Sequence, residues 1–289
     1  MCDNLDISIL IPCFNEQIHI ARCIESALTL TSQVYLIDSY STDGTLEIAS
    51  KYNIKVFQYK WEQNTVWADK INWALENIPF LTTWIMRLDS DEYLVDNVRP
   101  ILEKELASTL DEINGMFINR RQFFLRKWMK HGNNTYSEIR IFRRHKVFYD
   151  IRLLDEYISL PSEQTIKLNC DIIDDNLNDL STFINKHNKY STFEAIEIIK
   201  KEINTNKDTR KSRYYSSPKY WRAIILFLSK YIFHLGFLDG KEGFLYCFFQ
   251  CLWYRTLCDA RVDEILMNCS NEKSKIIQYL SDKHNIQLQ

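Results

Sequence analysis

The chain has 289 residues, 46% of them hydrophobic, and a formal net charge of −2. That balance excludes a generally basic nucleic-acid binder and leaves enough apolar side chain for a sizeable core. Only six residues are glycine, where average usage would give about 20. Neither G-x-G-x-x-G nor G-x-x-x-x-G-K-[ST] occurs, so a bound nucleotide would not have its phosphates held by a glycine-rich loop.

Ile7-Ser8-Ile9-Leu10-Ile11 reads as a buried strand stopped by Pro12, and Glu16 to Leu30 has helical spacing through Ile20, Ile24, Ala27 and Leu28. Val34 to Ile37 is a second strand ending at Asp38, Thr45 to Tyr52 a short helix, and Ile54 to Tyr59 a third strand. Val66 to Asn77 is helical, with Ile71, Ala74 and Leu75 on one face, and Trp84 to Leu88 is a fourth strand ending at Asp89. Such strand–helix repetition predicts a parallel sheet covered on both faces, with ligands bound outside the carboxyl ends of its strands. Asn15, Asp38 and Asp89 should therefore share one edge.

From Met116 to Asp175 the pattern changes. Met116 to Asn119, Glu138 to Phe142 and Lys146 to Tyr149 read as strands with no long helix between them, which predicts an antiparallel or mixed extension of the sheet. Asp179 to Ile203 reads as helix. The remainder begins with basic residues (Lys207, Arg210, Lys211, Arg213, Lys219, Arg222) and continues into two aromatic-rich apolar segments, Ala223 to Phe237 and Phe244 to Leu257. Neither reaches about 20 uninterrupted apolar residues, so no membrane span is expected. Basic residues ahead of aromatic amphipathic helices predict that this part lies in a bilayer interface; a packed hairpin or a homodimer contact is the alternative. There is no internal repeat. The eight cysteines form no C-x-x-C and have no zinc spacing, which predicts reduced, buried thiols. Met1 to Asp6 is polar and Ile7 to Pro12 is too short for a secretory leader's apolar core, so a cytoplasmic location is expected.

Asp89-Ser90-Asp91, directly after a strand, carries the strongest chemistry. Two carboxylates at i and i+2 offer hard oxygen ligands to Mg2+ or Mn2+, and that ion can bridge a diphosphate. This holds phosphates with few glycines. In chain order the motifs are ILIPCFNE, LIDSYSTDGT, WADKINWAL and MRLDSDEYL. They closely resemble the successive motifs of family 2 glycosyltransferases over roughly residues 7 to 95. NRRQFFLRKWMKHG, EIRIFRR, LLDEYI and INKHNKYS extend a weaker likeness to the bacterial enzymes that build lipopolysaccharide core and O-antigen sugars.

The resemblance implies an α/β fold of the GT-A (Rossmann-like) type, a mixed sheet flanked by helices, with a C-terminal helical membrane-associating extension. It implies a catalytic domain over 1–205, its nucleotide-sugar half about 1–95 and its acceptor half about 96–205, followed by the extension at 206–289. It implies inverting transfer of a hexose or N-acetylhexosamine from a UDP-sugar, with Mn2+ or Mg2+, to a lipid-linked diphosphate glycan at the inner face of the cell membrane. A bare polyprenyl phosphate is an alternative acceptor. A nucleotidyltransferase of similar fold is an alternative activity, but would show a Gly-rich N-terminal loop.

Residue by residue, the resemblance places Pro12, Asn15, Glu16, Lys70 and Ser90 at the nucleotide. It makes Asp38 the acid that hydrogen-bonds uracil, Asp89 a ribose or metal contact, and Asp91 the main metal ligand. Asp174-Asp175-Asn176 stands where relatives carry a His near the metal. Glu156 aligns with the family's base and Asp155 replaces the usual His before it, so the base is one of these two. Arg120 to Lys146 holds nine Arg or Lys against a single acid, Glu138. A diphosphate-linked acceptor needs such cations, and Arg121, Arg140 and Arg143 are the candidates.

Overall fold

The computed structural model describes residues 5–62, 65–151, 157–203, 217–270 and 272–284. They fall into two compact units: 5–128, 134–151 and 157–177 in the first, 129–133 and the residues from 178 onward in the second. The expected domain boundary at 205 lies outside the described residues.

The first unit is built on a nine-stranded sheet. Its strands are β1 (Ile7–Cys13), β2 (Val34–Asp38), β3 (Lys55–Gln58), β4 (Trp84–Arg87), β5 (Glu92–Leu94), β6 (Gly115–Phe124), β7 (Lys127–Trp128), β8 (Tyr136–Arg143) and β9 (Thr165–Asp174). They lie in the order β3-β2-β1-β4-β8-β6-β9-β5, with β7 paired to β6. The first four are parallel; β8 joins β4 antiparallel, and β9 runs parallel to β6. The expected mixed sheet is thus present, and three helices expected in its first part form: α1 (Ile20–Leu28), α2 (Thr45–Ala49) and α3 (Trp67–Asn77). A fourth, α4 (Val98–Ser108), follows β5.

Alternation along β1 explains why both faces are covered. Ile7, Ile9 and Ile11 pack with Ile20, Cys23, Ile24 and Ala27 of α1, while Leu10 on the opposite face packs with Ala68, Ile71, Ala74 and Leu75 of α3. A strand buried on both sides has no polar face to show, which is the pattern of a parallel sheet under helices.

The sheet curls. Three strands separate β4 from β5 in the hydrogen-bonding order, yet the chain between them is only Leu88 to Asp91. Four strand spacings in a flat sheet would take about 19 Å, and this link is a tight turn in which Glu92 N donates to Asp89 O at 2.9 Å. The far strands must therefore bend round to meet it, helped by register shifts at Met116/Phe117 and Phe117/Asn119.

No strand forms at 146–149. The antiparallel ladder of β8 ends at Arg143, and the chain turns through His145 at φ 62°. Tyr149 is then pinned by Asn72 of α3, which bonds both its N–H and its carbonyl at 2.8 and 2.9 Å.

The second unit is helical. α5 (Leu180–Ile203), the helix expected at 179–203, packs Ala195, Ile196, Ile198 and Ile199 against Val262 and Ile265 of α8 (Tyr254–Asn268) and Ile276 and Leu280 of α9 (Lys273–His284). α6 (Trp221–Leu228) passes into a π-helical turn, Ser229–Phe233, and α7 (Gly240–Cys247) into another, Phe248–Trp253. Arg222 of α6 is buried in an ion pair with Asp259 of α8. Among the described residues no single helix is long and apolar enough to cross a membrane, though Trp221–Phe233 and Gly236–Asn268 are so together, with a 71° bend between them. Gly243 sits so close under that bend that a Cβ there would collide with the Gly236 carbonyl oxygen. All seven described cysteines are buried and free.

Candidate active site

At the carboxyl edge of the parallel strands, four loops interlock. After β1 the chain continues through Asn15, at φ 56°, and after β2 through Tyr40, at φ 59°. Left-handed backbone is tolerated by Asn but unfavourable for Tyr, so surrounding bonds must impose it. They do: Asn15 N–H donates to Ser41 Oγ, and Thr42 N–H to Asn15 Oδ1, both at 2.8 Å. Glu16 N–H donates to Thr45 Oγ1 at 2.8 Å, and Tyr40 N–H to Gln58 Oε1 at 3.2 Å. Ser90 Oγ donates to the Pro12 carbonyl at 2.6 Å, tying the fourth loop to the first.

Lys70 reaches this edge from α3. It is wholly buried, and its Nζ donates to the Cys13 carbonyl at 2.8 Å and lies 5.2 Å from the Trp67 ring centroid. Burial pushes its ammonium down to about 8, against the opposing pull of Cys13 and Asp38. Pro12, Asn15, Glu16, Asp38, Lys70, Asp89, Ser90 and Asp91 are therefore brought together.

Asp38 is placed differently from the role the resemblance implies. It is wholly buried and presents no surface to a base. Both oxygens are engaged, accepting from Ser41 N–H at 2.9 Å, from Ser41 Oγ and from Cys13 Sγ. What it does here is fix the Ser39–Thr42 loop.

Around the D-S-D turn lies a buried ionic network. Asp89 Oδ1 accepts from Arg87 Nε at 2.8 Å, and Oδ2 from Arg140 Nη1 at 3.1 Å. Arg140 also reaches Glu92 at 2.8 Å and Glu138 at 3.1 Å, and Arg120 lies between Glu92, Glu138 and Asp174. Burial opposes ionisation of Asp89, but the two guanidiniums outweigh it and hold the carboxyl well below its usual range. Glu92 is pushed the other way, chiefly by burial, with Asp89's charge adding to it against Arg140.

Asp91 faces away from that network. It is half-buried, and its Oδ2 accepts from Asn176 Nδ2 at 2.9 Å. Arg22, stacked 4.3 Å from the Tyr93 ring centroid, ties the Asp91 carbonyl to Asp175. Among the described residues no three His, Cys, Asp or Glu side chains converge as a ready-made metal cage. Mg2+ keeps several waters and needs only one or two carboxylates beside substrate phosphates. Asp91 offers such a hard-oxygen ligand, and Asp175 nearby has one buried carboxylate oxygen without a partner. These residues fit a divalent ion of that kind.

The acceptor candidates divide. Arg140 is committed to the buried network, with 4% of its side chain exposed. Arg143 pairs with Trp84 at the other end of β4, three residues or about 10 Å from Arg87, and bonds the carbonyls of Ile113 and Leu110. Arg121 retains exposure but is paired with Asp171 at 2.7 Å and stacked on Trp128. Asp155 and Glu156 lie outside the described residues.

Arg87, Glu92, Arg22 and His19 were not among the expected site residues. His19 is wholly buried; its Nε2 accepts from Leu177 N–H, so Nδ1 donates to Glu16 at 2.6 Å. A sequence signal existed only for Glu92, a third acid immediately after D-S-D.

Residues 8–160 match the model of glycosyl transferase family 2. The lipopolysaccharide core biosynthesis glycosyltransferase LpsC of Rhizobium meliloti is 30% identical over 154 residues, covering 52% of this chain and 56% of that protein. An uncharacterised glycosyltransferase of Rickettsia conorii is 32% identical over 102 residues, covering 35% and 34%. The chain thus spans little more than half of the one relative and a third of the other. Among solved structures, Staphylococcus aureus TarS 1–349 is similar at 15% identity and TM-score 0.39, covering 91% of this chain and 92% of that one. Glucosyl-3-phosphoglycerate synthase from Mycobacterium tuberculosis, with Mn2+, UDP and glucosyl-3-phosphoglycerate, is similar at 22% identity and TM-score 0.31, covering 40% and 43%.

Proposed function

Because this chain belongs to glycosyl transferase family 2, we propose that it moves a hexose or N-acetylhexosamine from a UDP-sugar to a lipid-linked diphosphate glycan, with inversion. The observation that carries the reading is the convergence of Asn15, Glu16, Ser90 and Asp91 at one sheet edge, joined by direct hydrogen bonds between their loops. The likeness to LpsC supports a setting in lipopolysaccharide core, O-antigen or other surface polysaccharide synthesis.

Transfer would be a single displacement. The acceptor oxygen bonds to the anomeric carbon as that carbon's bond to the UDP oxygen breaks, and Glu156 or Asp155 takes the hydroxyl proton. Asp91 would hold Mn2+ or Mg2+, which when bound neutralises charge on the leaving diphosphate. Asn15 and the loop fixed by Asp38 would shape the nucleotide pocket, and Arg121 is the remaining acceptor cation of the three. Exposed Trp221, Ile225, Phe233 and Leu238 support a peripheral position on the cytoplasmic membrane.

The test is to incubate purified protein with a panel of UDP-sugars and Mn2+, scoring transfer to diphosphate-lipid and polyprenyl-phosphate acceptors. Asp91→Ala should abolish transfer and metal-dependent UDP binding while circular dichroism stays unchanged. Normal transfer by that variant would end the reading.

A further inference from the structure

We propose that Arg140 is the positioning residue of the D-S-D turn and Asp89 its anchor, so that the motif carries one cation-binding carboxylate, Asp91. The inference rests on the donor reading above for Asp91 and goes beyond it for Asp89, Arg140 and Glu92.

Arg140 arrives from β8, a strand remote in sequence. Ile141 pairs with Met86, which sets Arg140 beside Arg87 at the end of β4. Its guanidinium then spans three acids, with Nη1 on Asp89 and Nη2 on Glu92 and Glu138, and 4% of the side chain is exposed. A planar fork can bridge two carboxylates at once, whereas an ammonium is a single point charge. Glu92 closes the turn on itself: its Oε2 accepts from Asp89 N–H, and its own N–H donates to the Asp89 carbonyl, both at 2.9 Å.

Asp89 therefore spends both oxygens on guanidiniums, although 25% of its own side chain is exposed. A divalent cation at the same carboxylate would sit within a few ångströms of two positive groups that are themselves buried. Removing one partner of such a network strands a buried charge, so the arrangement resists being opened. Asp91, two residues on and half-buried like Asp89, has Asn176 rather than an arginine on its Oδ2. One acid holds the turn and the other is presented by it.

The experiment is a double-mutant cycle on the full chain with Asp89→Asn, Arg140→Lys and their combination, beside Asp91→Asn. Its first readout is hydrogen exchange of the peptide spanning 88–94 without metal or nucleotide. Each single substitution should speed exchange there, and the double should fall short of the sum of the two, since the Asp89–Arg140 link is lost in both. The second readout is Mn2+ affinity of the UDP-loaded protein by electron paramagnetic resonance. The singles should each weaken it about 10- to 100-fold, as loss of an outer partner does, and the double by less than the product.

Asp91→Asn should eliminate Mn2+ binding. If Asp89→Asn eliminates it equally, or the two losses multiply, the inference is overturned. Should Arg140→Lys not fold, Arg140→Gln with Asp89→Asn forms a neutral pair: retained Mn2+ binding supports the proposal and complete loss refutes it. An unsubstituted protein without metal-dependent UDP binding would sink the donor reading, and the exchange arm, needing neither ligand, would still decide the clamp.

Discussion

Lys70 is a cation kept from water under the loop that follows β1, with one carbonyl and an indole ring for company. In the unfolded chain its ammonium titrates near 10.5, and in the folded chain at about 8. The folded state thus gives up its proton first. Below pH 8 burial of the charge costs stability; between 8 and 10.5 the unfolded state binds more protons, and that cost is relieved as pH rises. The unfolding free energy of the wild type minus that of Lys70→Met should therefore climb across this window, by up to about 3 kcal/mol. Urea titrations at pH 7.5 and 10 would check it, and a flat difference would show that Lys70 is not charged and buried. The site residues legible in sequence were those that stand just after a strand end, as Asn15, Glu16, Ser90 and Asp91 do. Arg140, read as an acceptor cation, and Glu92 were not legible in their actual roles. Their partners come from strands about 50 residues apart, and no spacing rule encodes which arginine meets which acid.

Between residue and fold, the two apolar segments are the elements with most left uncovered. Trp221, Ile225 and Phe233 are 65%, 62% and 78% exposed, although each lies in a regular helical turn. Half-buried Lys230 and exposed Lys241 belong to the same stretch, whose only acids are the buried Asp239 and Glu242, paired with Lys241. Exposed apolar side chains beside cations are what the proposed membrane position rests on. The full chain should sediment with vesicles containing anionic lipid and less with neutral ones, and Ile225→Ser with Phe233→Ser should release it. Concentration-dependent dimerisation that these substitutions abolish, with no vesicle binding, would point to a second copy instead. Long elements with strong period were readable in advance, from β1 through α3 and again in α5. β5, α4 and β9 are not among the expected elements. β5 has three residues, too few to show any period, whereas Ile166, Leu168, Cys170 and Ile172 of β9 do alternate, separated by Lys167, Asn169 and Asp171.

At the scale of the whole molecule, the mixed sheet and its flanking helices follow from hydrophobic alternation, but the curl does not. It depends on register and on the pairing of β5 with β9, Glu92 opposite Asp174. That curl bears on how the chain is made. By the time residue 95 has left the ribosome, every acid of the D-S-D turn exists, yet the turn has no Arg140, no β9 and no Asn176. Those arrive some 45 to 80 residues later, about 2 to 16 seconds at ordinary elongation rates. Nascent chains stalled with 1–130 emerged should therefore leave Asp89 and Asp91 freely exchanging, and chains with 1–180 emerged should protect them. Protection already present at 130 would mean that the N-terminal half shapes the turn unaided. The motif most readable in the sequence is thus one whose conformation waits on residues translated well after it.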